Sequence, residues 1–245
     1  MKSKKILVTL LLIIVIAAGS FVVWGNTPAK PAQVALQALA SDSTVTVNQN
    51  KDLITFFPTD NTPQIGLIFY PGGRVDFRAY AAPLHQMAAQ GFAVYLVKMP
   101  LNLAVFDTNA ADAVIAQNPQ IRQWVIAGHS LGGAMAASYV KNNPSKITAV
   151  IFWAAYATKG ADLSDSGLSM LSISASHDGL STPADIEANS VFIPADAEFY
   201  VIEGGNHAQF ANYGSQAGDG TPTITWQEQQ AQVVSVTTGF LHSLP

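Results

Sequence analysis

Cysteine is absent from this 245-residue chain. Its absence excludes disulfides, a thiol nucleophile, zinc–thiolate sites and lipid attachment at an N-terminal cysteine. Charged residues are scarce, at 11% of the chain against about a quarter in typical proteins. The net charge is −4 and no basic patch is interleaved with aromatic residues, which argues against a nucleic-acid partner. Because no H-E-x-x-H motif or comparable ligand cluster occurs, we expect neither a metal nor a cofactor.

The N-terminus carries a long apolar run. Three lysines within the first five residues precede nineteen uncharged residues from Ile6 to Trp24. A helix of that length spans about 28 Å, close to the hydrocarbon core of a bilayer. We predict that residues 1–25 form an uncleaved membrane anchor, with the lysines in the cytoplasm and the rest of the chain outside. The alternative is a signal peptide, cleaved near Gly19 or after Ala40, which would yield a secreted protein.

Strand-like and helical segments alternate over most of the chain. Residues 26–42 contain two prolines and are predicted to form a linker that ends in a short helix. Residues 44–57 predict an antiparallel edge hairpin. Continuous apolar strands then alternate with amphipathic helices, which is typical of a mostly parallel sheet covered on both faces. We therefore predict one α/β domain over residues 43–245, with further strands at 65–70, 92–97, 123–127, 147–152, 170–175 and 198–202, and helices at 77–90, 108–117, after 130 and at 226–241.

The sequence leaves little room for a lid over this domain. Only a short stretch separates Trp153, after the predicted fourth core strand, from Met170, which begins the fifth. An inserted lid domain at this point would need a longer segment. We therefore expect an open, water-accessible site.

A glycine-flanked serine marks the centre of the domain. Residues 128–133 read Gly-His-Ser-Leu-Gly-Gly, between an apolar run and an alanine-rich helical stretch. This is the G-x-S-x-G pattern in its strand–turn–helix context, which predicts Ser130 as a nucleophile on a strained turn. Gly128 and Gly132 leave space for the turn, and the helix that follows directs free N–H groups at the site.

A serine nucleophile needs a base, and the base needs an acid. In a doubly wound sheet both come from loops at the carboxyl ends of strands. Of the five histidines, His207 follows the last predicted strand in a glycine-rich loop, so we predict that it is the general base. Asp178 follows the strand that ends at Ala175 and gives the order Ser, Asp, His, so we predict that it is the acid. Glu203 and Asp76 are the alternative acids.

Two backbone N–H groups are needed to bind the oxyanion. We predict those of Leu131 and Gly73, the latter in the loop after the first core strand, with Gly72 and Arg74 as its alternatives. Arg74 either binds an anionic substrate group or forms an exposed salt bridge. The polar, glycine-spaced segment 205–220 either shapes the pocket, cages the histidine loop or forms an ordinary surface loop.

In this order, the motifs Tyr-Pro-Gly-Gly, Gly-His-Ser-Leu-Gly-Gly, Ser-His-Asp-Gly and Gly-Gly-Asn-His resemble the α/β-hydrolase superfamily. More narrowly, the chain is similar to small lidless bacterial serine hydrolases such as dienelactone hydrolases and cutinases. The resemblance runs from about Ser43 to the C-terminus and implies a three-layer α/β-hydrolase sandwich. It implies Ser130 as nucleophile, Asp178 as acid and His207 as base. Tyr-Pro stands where many members have His-Gly, which leaves the second oxyanion donor open.

The sequence therefore favours an exported or membrane-anchored serine hydrolase that cleaves carboxylic esters or related acyl compounds of small size. An acyltransferase would use the same three residues, with an alcohol or amine in place of water. A membrane-tethered binding module that has lost the chemistry is the alternative from another class. The sequence carries no signal for the oligomeric state.

Overall fold

One eight-stranded sheet organises the protein. The structure, a computed structural model, describes residues 2–245. The strands are β1 (Val45–Gln49), β2 (Leu53–Pro58), β3 (Ile65–Tyr70), β4 (Ala93–Val97), β5 (Gln123–His129), β6 (Ala149–Trp153), β7 (Ser169–Ala175) and β8 (Glu198–Ile202). Their order is β1-β2-β4-β3-β5-β6-β7-β8. Strand β2 pairs antiparallel with β1 and β4, and all neighbours from β4 to β8 are parallel. The predicted mostly parallel sheet with an antiparallel edge hairpin is confirmed.

Helices cover both faces of the sheet. They are α1 (Lys2–Gly25), α2 (Gln33–Gln37), α3 (Ala81–Ala89), α4 (Ala111–Gln117), α5 (Leu131–Asn142), α6 (Pro183–Asn189) and α7 (Trp226–Ser243). Helices α3 and α7 contribute to one apolar core, and α4 and α5 contribute to a second core on the opposite face. Strands β4 and β6 are buried throughout and β3, β5 and β7 nearly so, which explains their continuous apolar sequences.

The parallel strands bring distant loops to one edge of the sheet. Strand β5 lies between β3 and β6, and β7 and β8 follow on the same side. Since parallel strands point the same way, the loops after β3, β5, β7 and β8 emerge together at their carboxyl ends. The segment between β6 and β7 contains a single short helical turn, Lys159–Ala161, and no lid domain.

One helix was not predicted from the sequence. Helix α6 follows β7 and begins with Thr182 as N-cap, whose hydroxyl accepts from the N–H of Asp185 while that carboxylate accepts from the N–H of Thr182. Proline follows the cap at the first helical position. Thr-Pro-x-Asp is a local helix-start signal that the sequence does contain.

The segment 26–42, predicted as a linker, packs on the domain instead. Ala29 pairs with Val75 as a parallel bridge, and the N–H of Ala32 donates to the carbonyl of Asn212 at 2.7 Å. Ala35 in α2 is fully buried. These backbone contacts fix the segment to the loops that follow β3 and β8.

Helix α1 stands apart from both cores. Residues Lys5–Gly25 include an 18-residue window with a mean hydropathy of 3.0, none of which is buried in the protein. The helix is therefore long and apolar enough to cross a membrane or to serve as a signal sequence.

Candidate active site

Ser130 occupies the sharp turn between β5 and α5. Its φ of 52° and ψ of −124° are unusual for a residue other than glycine, and such a conformation costs about 1–3 kcal/mol. Its N–H donates to the carbonyl of Trp153 on the neighbouring strand at 3.0 Å. Ser130 is partly exposed while the preceding His129 is buried. The turn therefore holds the serine hydroxyl at the carboxyl end of the sheet.

The flanking glycines are required by close backbone approach. A Cβ on Gly132 would collide with the carbonyl oxygens of Tyr70 and Pro71 at the end of β3. A Cβ on Gly128 would lie 2.5 Å from the backbone nitrogen of Gly133. These glycines allow α5 to pack directly on the loop after β3.

The structure brings the predicted acid and base together. His207 Nδ1 lies 2.8 Å from Asp178 Oδ2, and both side chains are almost fully buried. The other carboxylate oxygen, Oδ1, accepts from the N–H groups of Leu180 and Ser181 at 2.7 and 2.8 Å. Because a carboxylate only accepts, Nδ1 of His207 carries the proton and Nε2 is left free to take another.

The predicted base, His207, also lies beside the serine turn. The rings of His207 and His129 have centroids 4.4 Å apart, and His129 immediately precedes Ser130. The Ser130 hydroxyl makes no hydrogen bond to His207 within residues 2–245 of this structure. Such bonds often tighten only when substrate is present. The geometry thus joins Asp178 to His207 and leaves the serine next to the pair.

Two unused N–H groups flank the turn. In the loop after β3, the N–H of Gly72 donates to Tyr80 Oη at 2.9 Å and that of Arg74 to the carbonyl of Asn102 at 2.7 Å. The N–H of Gly73, between them, has no acceptor in the described part of the chain. The N–H of Leu131 opens α5 and has no acceptor within its helix. Gly73 lies against the Leu131 side chain, so both predicted oxyanion donors are on the same side of the site.

A buried tyrosine–histidine pair supports this loop, and sequence analysis did not predict it. Tyr80 Oη accepts from the N–H of Gly72 at 2.9 Å and forms a second hydrogen bond with His129 Nδ1 at 2.8 Å. His129 Nε2 has no hydrogen-bond partner among the described residues. Burial, with nearby His207 adding to it, holds the pKa of His129 well below its usual range. His129 is therefore neutral and is a packing residue of the turn.

The segment 205–220 cages the histidine loop through Asp219. Its carboxylate accepts from the N–H groups of His207 and Ala208, at 3.2 and 2.9 Å, and from that of Gly179 beside the acid, at 3.2 Å. From α7, Gln229 forms two hydrogen bonds with the backbone of Asn206. One carboxylate thus ties the acid loop to the base loop.

The structure also places the two alternative acids and Arg74. Asp76 pairs with Arg78 at 2.6 Å, and Glu203 is exposed, so neither contacts His207. The expected salt bridge of Arg74 is wrong, because its guanidinium donates to the carbonyls of Trp24 and Thr27 instead.

The three predicted catalytic residues differ in their exposure to solvent. His207 is 1% exposed and Asp178 is 4% exposed, so Ser130 is the most accessible of the three. Segment 205–220 accounts for part of this burial, because it folds over the histidine loop. Among residues 2–245, no group of three or more His, Asp or Glu side chains is arranged to hold a metal ion.

Comparison with known proteins identifies the family. A search of curated proteins gives no match. Among solved structures, the chain is similar to a predicted CIB-like hydrolase from Thermoplasma acidophilum, with a TM-score of 0.63, 14% identity and coverage of 82% of this chain and 100% of that one. It is also similar to carboxylesterase CesB from Bacillus subtilis, with a TM-score of 0.60, 11% identity and coverage of 84% of this chain and 94% of that one. A thermophilic esterase from Thermogutta terrifontis is similar with a TM-score of 0.58, 14% identity and coverage of 87% of this chain and 95% of that one. The model of the alpha/beta hydrolase family matches residues 66–231, which include the serine turn and the predicted acid and base. The chain belongs to the alpha/beta hydrolase family.

Proposed function

We propose that the protein is a serine hydrolase that cleaves carboxylic esters with Ser130, His207 and Asp178. The observation that carries this proposal is the 2.8 Å contact between His207 Nδ1 and Asp178 Oδ2, on two loops beside the strained serine turn. An acid–base pair of this kind is what a serine hydroxyl needs to become a nucleophile. Esters are the substrate class because two structurally similar proteins are an esterase and a carboxylesterase by name.

The reaction proceeds in two halves. Ser130 Oγ attacks the ester carbonyl carbon while His207 Nε2 takes the hydroxyl proton, and Asp178 stabilises the resulting imidazolium. The N–H groups of Gly73 and Leu131 donate to the oxyanion. The tetrahedral intermediate collapses, and the alcohol leaves with the proton from His207. Water then attacks the acyl-enzyme with His207 again as base, which releases the acid and restores the serine.

We further propose that α1 is retained as a membrane anchor and that residues 43–245 work outside the cytoplasmic membrane. The lysines before the apolar run support this orientation. The contacts that Trp24 and Gly25 make with the domain argue against cleavage after Ala40, which would remove both residues. N-terminal sequencing of the exported protein should find the chain uncut. A chain that begins after Gly19 or Ala40 would contradict the anchor.

The full-length protein in detergent tests the chemistry. It should release p-nitrophenol from the acetate and butyrate esters, and Ser130→Ala should lower the rate by at least about 10³-fold. Ser166→Ala, in a loop away from the sheet edge, is the matched control and should retain activity. Hydrolysis unchanged in Ser130→Ala would refute the proposal. Adding an alcohol acceptor separates hydrolysis from acyl transfer, because a transferase yields the new ester faster than the free acid.

A further inference from the structure

The last turn of α1 is docked on the loop that carries the oxyanion donor. Arg74, the residue after Gly73, donates through Nε to the carbonyl of Trp24 at 3.2 Å and through a terminal nitrogen to that of Thr27 at 2.9 Å. Its guanidinium also lies 4.3 Å from the centre of the Trp24 ring. A cation at a helix C-terminus is electrostatically favourable, and its N–H groups satisfy carbonyls that the helix leaves free.

A second loop completes this docking. Asn102 Nδ2 donates to the carbonyl of Gly25 at 2.9 Å, and the backbone carbonyl of Asn102 accepts from the N–H of Arg74. Gly25 is buried, and a Cβ there would lie 2.9 Å from Leu101 Cβ. Arg74, Leu101 and Asn102 all have positive φ, between 52° and 57°. Left-handed backbone at such residues persists only where its surroundings hold it, and the contacts with Trp24, Gly25 and Thr27 belong to those surroundings.

Apolar side chains continue from α1 onto the domain. Phe106, after β4, meets Phe21 edge to face with ring centroids 6.1 Å apart. Phe21, Trp24, Val105 and Phe106 are between 42% and 51% exposed, and we call them the membrane patch. Aromatic side chains at the end of a spanning helix lie at the membrane–water boundary. Because Phe106 is packed on that end of α1, it lies at the same depth.

The membrane patch adjoins the serine site. Leu103, in the same loop as Val105, has its Cδ2 3.5 Å from a Cβ position on Gly73, and Leu131 Cδ2 lies 3.0 Å from it. Apolar side chains therefore run from the membrane patch to the predicted oxyanion donors. The charged residue beside this path is Arg74, whose guanidinium lies over the Trp24 ring and donates to the carbonyls of Trp24 and Thr27.

We propose that the Ser130 site opens onto the outer leaflet of the membrane that α1 spans, and that its substrate is a long-chain acyl ester resident in that leaflet. This inference rests on the proposed hydrolase function and adds the source of the substrate. A chain that stays in the leaflet while its ester group reaches Ser130 does not have to expose its apolar surface to water.

Site-specific fluorescence tests the membrane contact. Because the chain lacks cysteine, Phe106→Cys in the full-length protein takes a single bimane label. Phe199→Cys is the matched control, since Phe199 is 50% exposed against 51% for Phe106. It lies on β8, five strand spacings or about 24 Å from β4. Val105→Cys repeats the measurement beside Phe106 without removing the aromatic contact.

In vesicles of phosphatidylcholine and phosphatidylglycerol, doxyl-labelled lipid should quench the labels at 105 and 106 and spare the label at 199. Aqueous iodide should do the reverse. Quenching by iodide that is equal at 106 and 199, with no effect of the doxyl lipid, would overturn the inference.

The same vesicles test the substrate class. At constant bulk concentration, hydrolysis of an embedded long-chain fluorogenic ester should rise with its mole fraction in the bilayer. If p-nitrophenyl acetate is cleaved and the embedded ester is not, the substrate inference is wrong while the hydrolase proposal stands. If neither is cleaved and a fluorophosphonate leaves Ser130 unlabelled, the proposed function itself fails and the inference falls with it.

Discussion

Asp219→Asn tests whether segment 205–220 positions the acid–base pair. Oδ1 of Asp219 accepts from the N–H groups of Gly179, His207 and Gly220, and Oδ2 accepts from that of Ala208. Asparagine keeps one of these oxygens and puts an amide NH₂ in place of the other. Either the N–H of Ala208 or the N–H groups of Gly179, His207 and Gly220 therefore lose their acceptor.

The expected magnitude follows from these contacts. A hydrogen bond to a charged acceptor contributes about 1.5–3 kcal/mol, and an unpaired buried donor costs about 1–3 kcal/mol. We expect the free energy of unfolding to fall by about 1–3 kcal/mol. Asp219 accepts from the N–H of Gly179, which adjoins Asp178, and from the N–H of His207 itself. The acid and the base should therefore also lose alignment. A displacement of about 1 Å can cost about 100-fold in rate, so we expect kcat to fall by about 10- to 100-fold, with KM little changed.

Asp42→Asn is the matched control for this variant. Asp42 Oδ1 accepts from the N–H groups of Thr44 and Val45 at 2.7 and 2.9 Å, at the start of the edge hairpin. Asparagine keeps Oδ1, which accepts both N–H groups, so Asp42→Asn should leave kcat unchanged and lower stability less than Asp219→Asn does. The assays are urea unfolding and steady-state hydrolysis of a soluble p-nitrophenyl ester. Asp219→Asn with reduced stability and wild-type kcat would refute the positioning role.

Three further predictions concern the serine turn and its surroundings. Asp178→Asn should lower kcat by about 10³- to 10⁴-fold in steady-state assays with little change in fold by circular dichroism, and a loss below tenfold would contradict its role as the acid. Gly132→Ala should lower the free energy of unfolding by about 2 kcal/mol or more, whereas Gly239→Ala, in open space on α7, should raise it by about 0.5–1 kcal/mol. Denaturant titration measures both. Equal effects would contradict the close approach of Gly132 to the backbone of Tyr70 and Pro71. Since the pKa of His129 is depressed in the folded state, the unfolded state binds more protons below pH about 6.5, and the free energy of unfolding should fall there by up to about 1.4 kcal/mol per pH unit. Unfolding titrations at pH 5 and 7 should find a smaller change in stability with pH in His129→Asn than in the wild type. An equal change in both proteins would contradict a buried neutral histidine.

Strands β3 to β7 could be predicted from sequence because they are buried on both faces. Such strands are continuous apolar runs, and the predicted segments for β3 to β7 agree with the structure to within about two residues at each end. The serine turn was predictable for a related reason. Its glycines, its strand and its helix are adjacent in the chain, so the whole signal is local.

The parts that sequence analysis missed depend on contacts between distant residues. Tyr80 meets His129 across 49 positions, and Asp219 meets Gly179 across 40. A carboxylate that accepts backbone N–H groups leaves no pattern in the residues that donate them. The contact of Arg74 with the end of α1 also joins residues that are distant in the sequence. From the sequence alone, an arginine after two glycines could bind a substrate anion or form a salt bridge. Proximity in the fold decides among them.

Reaction of the full-length protein with a fluorophosphonate, followed by mass spectrometry of its peptides, tests the central claim most directly. The account predicts one adduct per molecule, on Ser130, because only this serine combines the strained turn with the His207–Asp178 pair. Labelling should be lost in Ser130→Ala and strongly slowed in His207→Gln. An adduct on another serine, or none in protein that is folded by circular dichroism, would contradict the account.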